Sequence, residues 1–206
     1  MSKIFGVSFS ILANIILIAS GAANRVESES GTAAFESATN MPGIEVTGKT
    51  NALKVQAEVS RSENKLMVSR IDASIPVKTL STGMQMRDEH MRKYIFRMTD
   101  GSEPDVRFTS DQGACEAGGS RQEFSCPVSG TLSIRGTARP FTLRLKVKQD
   151  SASSEKFRAT GDGVVKLSAY GIPAPSQFGV KPNDDVKIHL DFTVKASAVD
   201  TAGVAR

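Results

Sequence analysis

The sequence predicts an all-β fold, an antiparallel barrel of about eight strands with one short helix that caps or flanks it. Apolar and polar residues alternate along most of the 206-residue chain, and proline, glycine or asparagine separate the alternating runs at hairpin spacing. Only one stretch has convincing helical periodicity. Closure into a barrel is favoured because a flat antiparallel sheet of this length would leave exposed edges.

The strands are assigned in chain order from this alternation. A first hairpin is predicted over residues 34–51, with Pro42 and Gly43 at its turn. A strand with one polar face follows, and a less regular one comes before the helix. These two strands are Leu53–Val59 and Leu66–Val77, and another strand begins at Val106 and Phe108 after the helix. The strands with the clearest apolar faces come last and are Val128–Arg135, Phe141–Lys148, Phe157–Leu167 and Val186–Lys195.

Two glycines within the predicted strand Phe157–Leu167 allow two interpretations. Gly161 and Gly163 flank Asp162, which is typical of a tight turn that would split Phe157–Leu167 into a hairpin. A bulge or a bend at a barrel corner would use glycine in the same way. Both interpretations stay open at this point.

The helix is predicted over residues 80–96, which read LSTGMQMRDEHMRKYIF. Thr82 precedes Gln85 by three residues, the spacing of a capping box. Leu80, Met84, Met91 and Ile95 recur at helical period along one face. A single short helix among strands suggests a plug or lid on the sheet.

The two ends of the chain are assigned from composition. Residues 1–23 carry Lys3, then a short apolar run and small residues, as a cleaved secretory signal peptide does. An uncleaved membrane anchor is the alternative, but the apolar run is short for a bilayer span. We expect a disordered lead-in over 24–32, a barrel domain over 33–197 and a flexible tail over 198–206.

The two cysteines, Cys115 and Cys126, lie in one hairpin-like segment beyond the signal peptide. In an oxidising compartment such a pair predicts a disulfide. Zinc would need four ligands, and the chain offers only these two cysteines and two histidines in unrelated segments, His90 and His189. No metal site is predicted.

Charge and motifs exclude several function classes. The net charge is +4, and the lysines and arginines alternate with apolar residues along the strands without interleaved aromatic residues. This pattern indicates a solvated outer face and no nucleic-acid partner. The chain has no Gly-x-Ser-x-Gly elbow and no phosphate-binding glycine loop. No catalytic residue is therefore predicted, and the protein is not expected to be an enzyme.

Three segments together resemble the YceI-like family, the lipid- or polyisoprenoid-binding domain of bacterial periplasms. They are residues 80–96 with the proline-led PDVRFTS of 104–110, residues 128–147, and residues 165–192. The resemblance implies a lipocalin-like eight-stranded barrel, a helix near one end and a long apolar cavity. It implies no cofactor other than a bound isoprenoid lipid or quinone. The first hairpin differs from the family pattern because its strands are short and rich in small residues.

Strand alternation selects the side chains that would line such a cavity, since inward-facing residues occupy every second position. The candidates are Val55, Ile71, Phe96, Phe108, Leu132, Ile134, Phe141, Leu143, Leu167, Ile188 and Leu190. Alternation distinguishes inside from outside and does not distinguish a cavity from a filled core. The alternative is that these residues simply pack against one another.

Four consecutive polar residues in the helix, Arg87, Asp88, Glu89 and His90, resemble an active site. Neighbouring residues on a helix point in different directions, so the four cannot converge on one atom. We expect Asp88 or Glu89 to pair with an arginine or to cap nearby backbone. The functional alternative is that Arg87 or His90 contacts the polar head of a quinone or prenyl phosphate.

The functional prediction is periplasmic binding, transport or sequestration of an isoprenoid lipid or quinone. The alternative is a filled barrel that acts through its surface as a stress-related interaction or inhibitor protein. An enzyme that acts on a bound lipid would need polar groups converging inside the barrel. Transient membrane contact and a homodimer are further expectations. The loop 170–177, YGIPAPSQ, is either a portal or partner surface, or a rigid turn.

Overall fold

The computed structural model describes residues 24–62, 65–118, 122–153, 155–176 and 179–198. These residues form nine antiparallel strands in one sheet, with one α-helix between the fourth and fifth. The strands are β1 Asn24–Ala38, β2 Glu45–Thr50, β3 Lys54–Ser62, β4 Lys65–Ile75, β5 Val106–Ala117, β6 Glu123–Ile134, β7 Thr137–Gln149, β8 Lys156–Lys166 and β9 Asp185–Ala198.

The nine strands make an eight-stranded closed barrel because β2 and β3 lie one after the other along the same edge of β1 and together fill one strand position. β2 pairs with the second half of β1, and β3 pairs with its first residues. Between them Leu53 N–H donates to the carbonyl of Gly31, so the two form one interrupted strand along β1. Pairing of β1 with β9 closes the sheet, which confirms the predicted barrel.

A bulge explains the irregular start of β4. Between β3 and β4 the pairing shifts around Arg70, which has a φ of 48°. Leu66 faces inward before the bulge and Ile71 after it, so the inward positions change from even to odd numbers. A single extra residue thus conceals the alternation over the first half of this strand.

The two glycines of β8 do not form a turn, because β8 runs unbroken from Lys156 to Lys166. Both glycines leave room for large side chains of β7. A Cβ on Gly161 would lie 2.4 Å from Leu145 Cδ2, and one on Gly163 would lie 2.7 Å from the ring of Phe141. Close approach of neighbouring side chains is the physical reason for glycine here.

The predicted start of the domain is wrong. Residues 24–32, expected to be disordered, form the first half of β1 and pair with β9 from Asn24 onward. The first strand is therefore 15 residues long and not short as the sequence suggested. Small residues such as Ser28 and Ser30 had concealed it, and a register shift lies between these two residues. The predicted signal peptide, 1–23, and residues 199–206 of the predicted tail lie outside the described residues.

The helix is shorter than predicted. α1 spans Gln85–Met91 and continues as a π-helical turn over Arg92–Phe96. The capping box is absent, because Met84 is the N-cap residue and no side chain caps the helix there. Ser81 instead pairs with Lys49 of β2 in extended conformation. Of the helices in the described residues, none has the length and apolar character that crossing a membrane requires.

One end of the barrel, here called the mouth, carries the β1–β2, β4–β5, β6–β7 and β8–β9 connections, and α1 lies in the second of these. The half of the barrel away from the mouth, here called the far half, is filled by buried side chains. The predicted disulfide between Cys115 and Cys126 is confirmed and lies in this core, where both residues are at most 1% exposed. Phe124, Val147 and Phe157 are buried in the same half.

Candidate functional site: an apolar cavity at the mouth of the barrel

The half of the barrel next to the mouth is hollow. Its cavity has a volume of about 730 Å³ and is lined by inward-facing side chains of β1, β2 and β4–β9, together with α1. This volume falls within the range of about 300–1,000 Å³ typical of small-molecule sites. The walls are aliphatic and aromatic, so the space is suited to an apolar ligand.

Nine of the eleven predicted lining residues lie in the cavity wall. These are Phe96, Phe108, Leu132, Ile134, Phe141, Leu143, Leu167, Ile188 and Leu190. The other two, Val55 and Ile71, are buried but belong to the packed core and not to the wall. Both do face inward, as alternation predicted. Val55 lies opposite the lining residue Ala73, and Ile71 lies two residues further from the mouth along the same strand as Ala73.

Several residues around the opening were missed by the alternation argument. Ile44 from the β1–β2 turn, Met84 and Met86 at the start of α1, and Tyr94 after it all line the cavity and are exposed. Met84 is 57% and Met86 64% exposed. They lie in turns and a helix, where alternation does not apply. Two large apolar residues separated by only one position at a helix start were the available signal.

Small residues in part of the wall leave cavity volume open. Ala33 and Ser37 of β1 and Ala73 of β4 contribute to the lining where larger residues would fill the space. Ala33 and Ser37 are buried, and Ala73 is partly buried against the core. The hollow half of the barrel therefore depends on short side chains at inward-facing positions.

Asp88 fixes α1 over the opening. Its carboxylate accepts hydrogen bonds from Ser81 Oγ at 2.8 Å, Thr82 N at 2.6 Å and Thr82 Oγ1 at 2.5 Å. Burial alone would raise the pKa of Asp88, but these hydrogen bonds and the positive charge of Arg92 outweigh it, and the pKa lies below its usual value. The expectation that an acid of the polar cluster caps nearby backbone is confirmed.

Arg87 and His90 lie beside the cavity, and both contribute to its lining. Arg87 Nη2 donates to the carbonyl of Thr82 at 2.7 Å, while its Nε is buried without an acceptor among the described residues. The ring of His90 meets that of Tyr94 edge to face, with centroids 5.3 Å apart. Glu89 points elsewhere and accepts from Gln85 Nε2 at 3.1 Å. The four consecutive residues thus do not converge.

The proline-containing loop after β8 borders the mouth. A 3₁₀ turn over Leu167–Tyr170 ends at Gly171, whose φ of 67° favours glycine. Ile172 anchors the loop in the core at 1% exposure, and Pro175 and Ser176 line the cavity. The loop therefore contains a turn and borders the opening; Gln177 lies outside the described residues.

A closed antiparallel barrel with an apolar cavity at one end belongs to the class of small β-barrels that can enclose a single ligand. Residues 25–194 match the family model of the YceI-like domain. The chain therefore belongs to the YceI-like family, as its sequence indicated. No curated protein sequence matches the chain significantly.

Solved structures share the fold at low sequence identity. Burkholderia cenocepacia BcnA is 18% identical, with a TM-score of 0.59 over 80% of this chain and 95% of that one. A polyisoprenoid binding domain from Saccharophagus degradans, implicated in plant cell wall breakdown, is 15% identical, with a TM-score of 0.58 over 86% and 99%. The YceI protein of Campylobacter jejuni is 17% identical, with a TM-score of 0.55 over 78% and 90%.

Proposed function

We propose that this protein binds an isoprenoid lipid or isoprenoid quinone in the cavity and carries or sequesters it in the periplasm. The observation that carries the proposal is the apolar cavity of about 730 Å³, open at one end of the barrel. Its family, and the likeness of its fold to a polyisoprenoid binding domain, support the same ligand class.

The wall chemistry fits a prenyl chain. Each CH₂ group that leaves water for an apolar site contributes about 0.8 kcal/mol, so a long apolar chain gains most by full enclosure. Phe108, Leu143 and Ile188 from three different strands offer such a surface. Two polar groups of the site, Arg87 and His90, lie on α1 at the mouth. The prenyl lipid would therefore enter the cavity with its apolar tail first and leave its polar head next to α1.

The mouth is also the proposed place of exchange with a membrane. Met84, Met86, Ile44 and Tyr94 combine exposure with contact to the cavity, so the apolar surface continues from the rim into the barrel. The homodimer remains a prediction.

The periplasmic location is part of the proposal. A disulfide persists in oxidising compartments and is rare in the cytosol, so the Cys115–Cys126 pair supports export. The alternative of a completely filled barrel that acts through its surface is less favoured, because packing is complete only in the far half.

Mass spectrometry of organic extracts tests the proposal. The mature protein would be purified from a periplasm without detergent, and its extract compared with that of Ala73→Leu, which narrows the cavity. We expect a stoichiometric prenyl lipid or quinone from the wild-type protein and less from the variant. A protein that is empty and also takes up no added prenyl lipid would overturn the proposal in favour of the surface-acting barrel.

A further inference from the structure

We propose that the polar end of the ligand is an acidic group, a phosphate or carboxylate, and that it binds to Arg87. This inference rests on the proposed function and names the head-group chemistry that the site selects. A neutral head, such as a quinone ring or an alcohol, would occupy the same place with lower affinity.

The first observation is an incomplete set of hydrogen bonds around Arg87. One nitrogen, Nη2, is held by the carbonyl of Thr82 at 2.7 Å, which orients the guanidinium group. Nε is buried, and no described residue accepts its hydrogen bond. A buried donor without a partner costs free energy comparable to that of a lost hydrogen bond. A ligand acceptor that reaches Nε through a small shift of the side chain would remove this cost.

The second observation is the charge of Arg87. Within the described part of the chain, no carboxylate lies within ion-pair distance of it, although Arg97 and Arg158 each pair with an acid. The adjacent Asp88 is occupied by Ser81 and Thr82. Glu45 also lines the cavity but forms no ion pair with Arg87. The guanidinium group therefore lines a largely apolar cavity without an ion-pair partner among the described residues.

These two observations favour an anion over a neutral acceptor. A guanidinium group offers parallel N–H donors that match the two oxygens of a carboxylate or phosphate, and such charged hydrogen bonds are about twice as strong as neutral ones. A quinone oxygen can accept a hydrogen bond but leaves the positive charge without a partner. His90, three residues further along the same helix, adds a second polar group on the same side.

Matched ligands test the inference. Dissociation constants for farnesyl phosphate, farnesol and inorganic phosphate would be measured by calorimetry with the wild-type protein, Arg87→Gln and Lys93→Gln. Lys93 is a matched control because it is an exposed cation of the same helical segment that does not line the cavity. Farnesyl phosphate and farnesol differ only in the acidic head group. Inorganic phosphate tests whether the site binds a free anion without the lipid.

We expect the wild-type protein to bind farnesyl phosphate about tenfold more tightly than farnesol. Arg87→Gln should reduce this ratio to near one, Lys93→Gln should preserve it, and inorganic phosphate alone should not bind. Equal affinity of the wild-type protein for both farnesyl ligands would overturn the inference and leave the proposed function standing. If Arg87→Gln and Lys93→Gln lose the preference for farnesyl phosphate over farnesol to the same extent, the inference is also overturned. If neither farnesyl ligand binds and added prenyl lipids are not taken up, the proposed function fails as well.

Discussion

The hydroxyl of Thr82 donates to the carboxylate of Asp88 over 2.5 Å, across six residues of chain at the rim of the cavity. This bond closes a small loop that includes Gly83 and Met84 and holds the start of α1 against β2. Ser81, which also donates to Asp88, is the residue that pairs with Lys49 of β2. The position of the helix over the mouth is thus set by one buried carboxylate.

Replacing Asp88 should destabilise the protein. In Asp88→Asn an amide nitrogen takes the place of an acceptor oxygen, so at least one of the donors on Ser81 and Thr82 loses its partner. We expect a loss of about 1–3 kcal/mol in the free energy of unfolding, measured by urea denaturation. Glu89→Gln is the control, because Glu89 is exposed and its change should stay within about 0.5 kcal/mol. Equal effects would refute the role assigned to Asp88.

The contribution of Asp88 should depend on pH. Its pKa in the folded protein lies below the usual 3.8, because hydrogen bonds from Thr82 and Ser81 and the charge of Arg92 outweigh the effect of burial. A carboxyl group whose pKa is lower in the folded protein than in the unfolded protein stabilises the fold at any pH above its unfolded-state pKa. This stabilisation is lost as the pH falls through its folded-state pKa. The stability gap between wild type and Asp88→Asn should therefore narrow below pH 3.8. A gap that is constant with pH would contradict the assignment.

Two matched substitutions should distinguish the hollow half from the filled half. Ala73 of β4 lines the cavity, whereas Ala57 of β3 is buried in the core and does not. Ala73→Leu should leave the urea midpoint nearly unchanged because it extends into empty space. Ala57→Leu should cost about 1–3 kcal/mol because it overpacks the core. Similar losses in both variants would show that the barrel is filled at both heights.

Removal of the disulfide should lower stability without removing the fold. Cys115 and Cys126 are 11 residues apart, and closing so short a loop contributes roughly 3 kcal/mol in the chain-entropy model. We expect the double variant Cys115→Ala and Cys126→Ala to unfold at lower urea concentration by about that free energy. Alanine is chosen because a serine hydroxyl would be buried in an apolar core. An unchanged midpoint would contradict this prediction.

Acidic residues at the mouth should weaken contact with membranes. Met84→Glu combined with Met86→Glu places charge at the apolar rim and should reduce co-sedimentation with phosphatidylglycerol vesicles. Met67→Glu is the control, since Met67 is 40% exposed on β4 and lies towards the far end of the barrel. It should sediment like the wild-type protein. If all three proteins sediment equally, the mouth is not the membrane contact.

Alternation predicted the barrel well because side-chain direction in a strand follows sequence position directly. It identified the inward faces of β7 and β9, and nine of the eleven proposed cavity residues do lie in the wall. It failed for Val55 and Ile71 because alternation reports which side a residue faces and not whether the space in front of it is filled. That space is filled or left open by side chains of other strands, which local sequence does not specify.

The errors in the helix and at the start of the chain have a common physical cause. Thr82 has the spacing of a capping residue, but its hydroxyl instead donates to Asp88, a contact across six residues. Asn24 to Thr32 look too polar for a strand, yet β9 and β3 pair with this segment on both sides. In both places partners distant in sequence override the local preference.

The most direct test of the central claim is to detect the ligand inside the mouth half of the barrel. Protein with ¹³C-labelled methyl groups would be saturated with an unlabelled prenyl lipid, and nuclear Overhauser effects from lipid protons would be recorded. We predict contacts to Leu132, Leu143 and Ile188 in the cavity wall and none to Leu66 or Val147 in the packed half. Contacts confined to the outer face, or to the far half, would contradict the account.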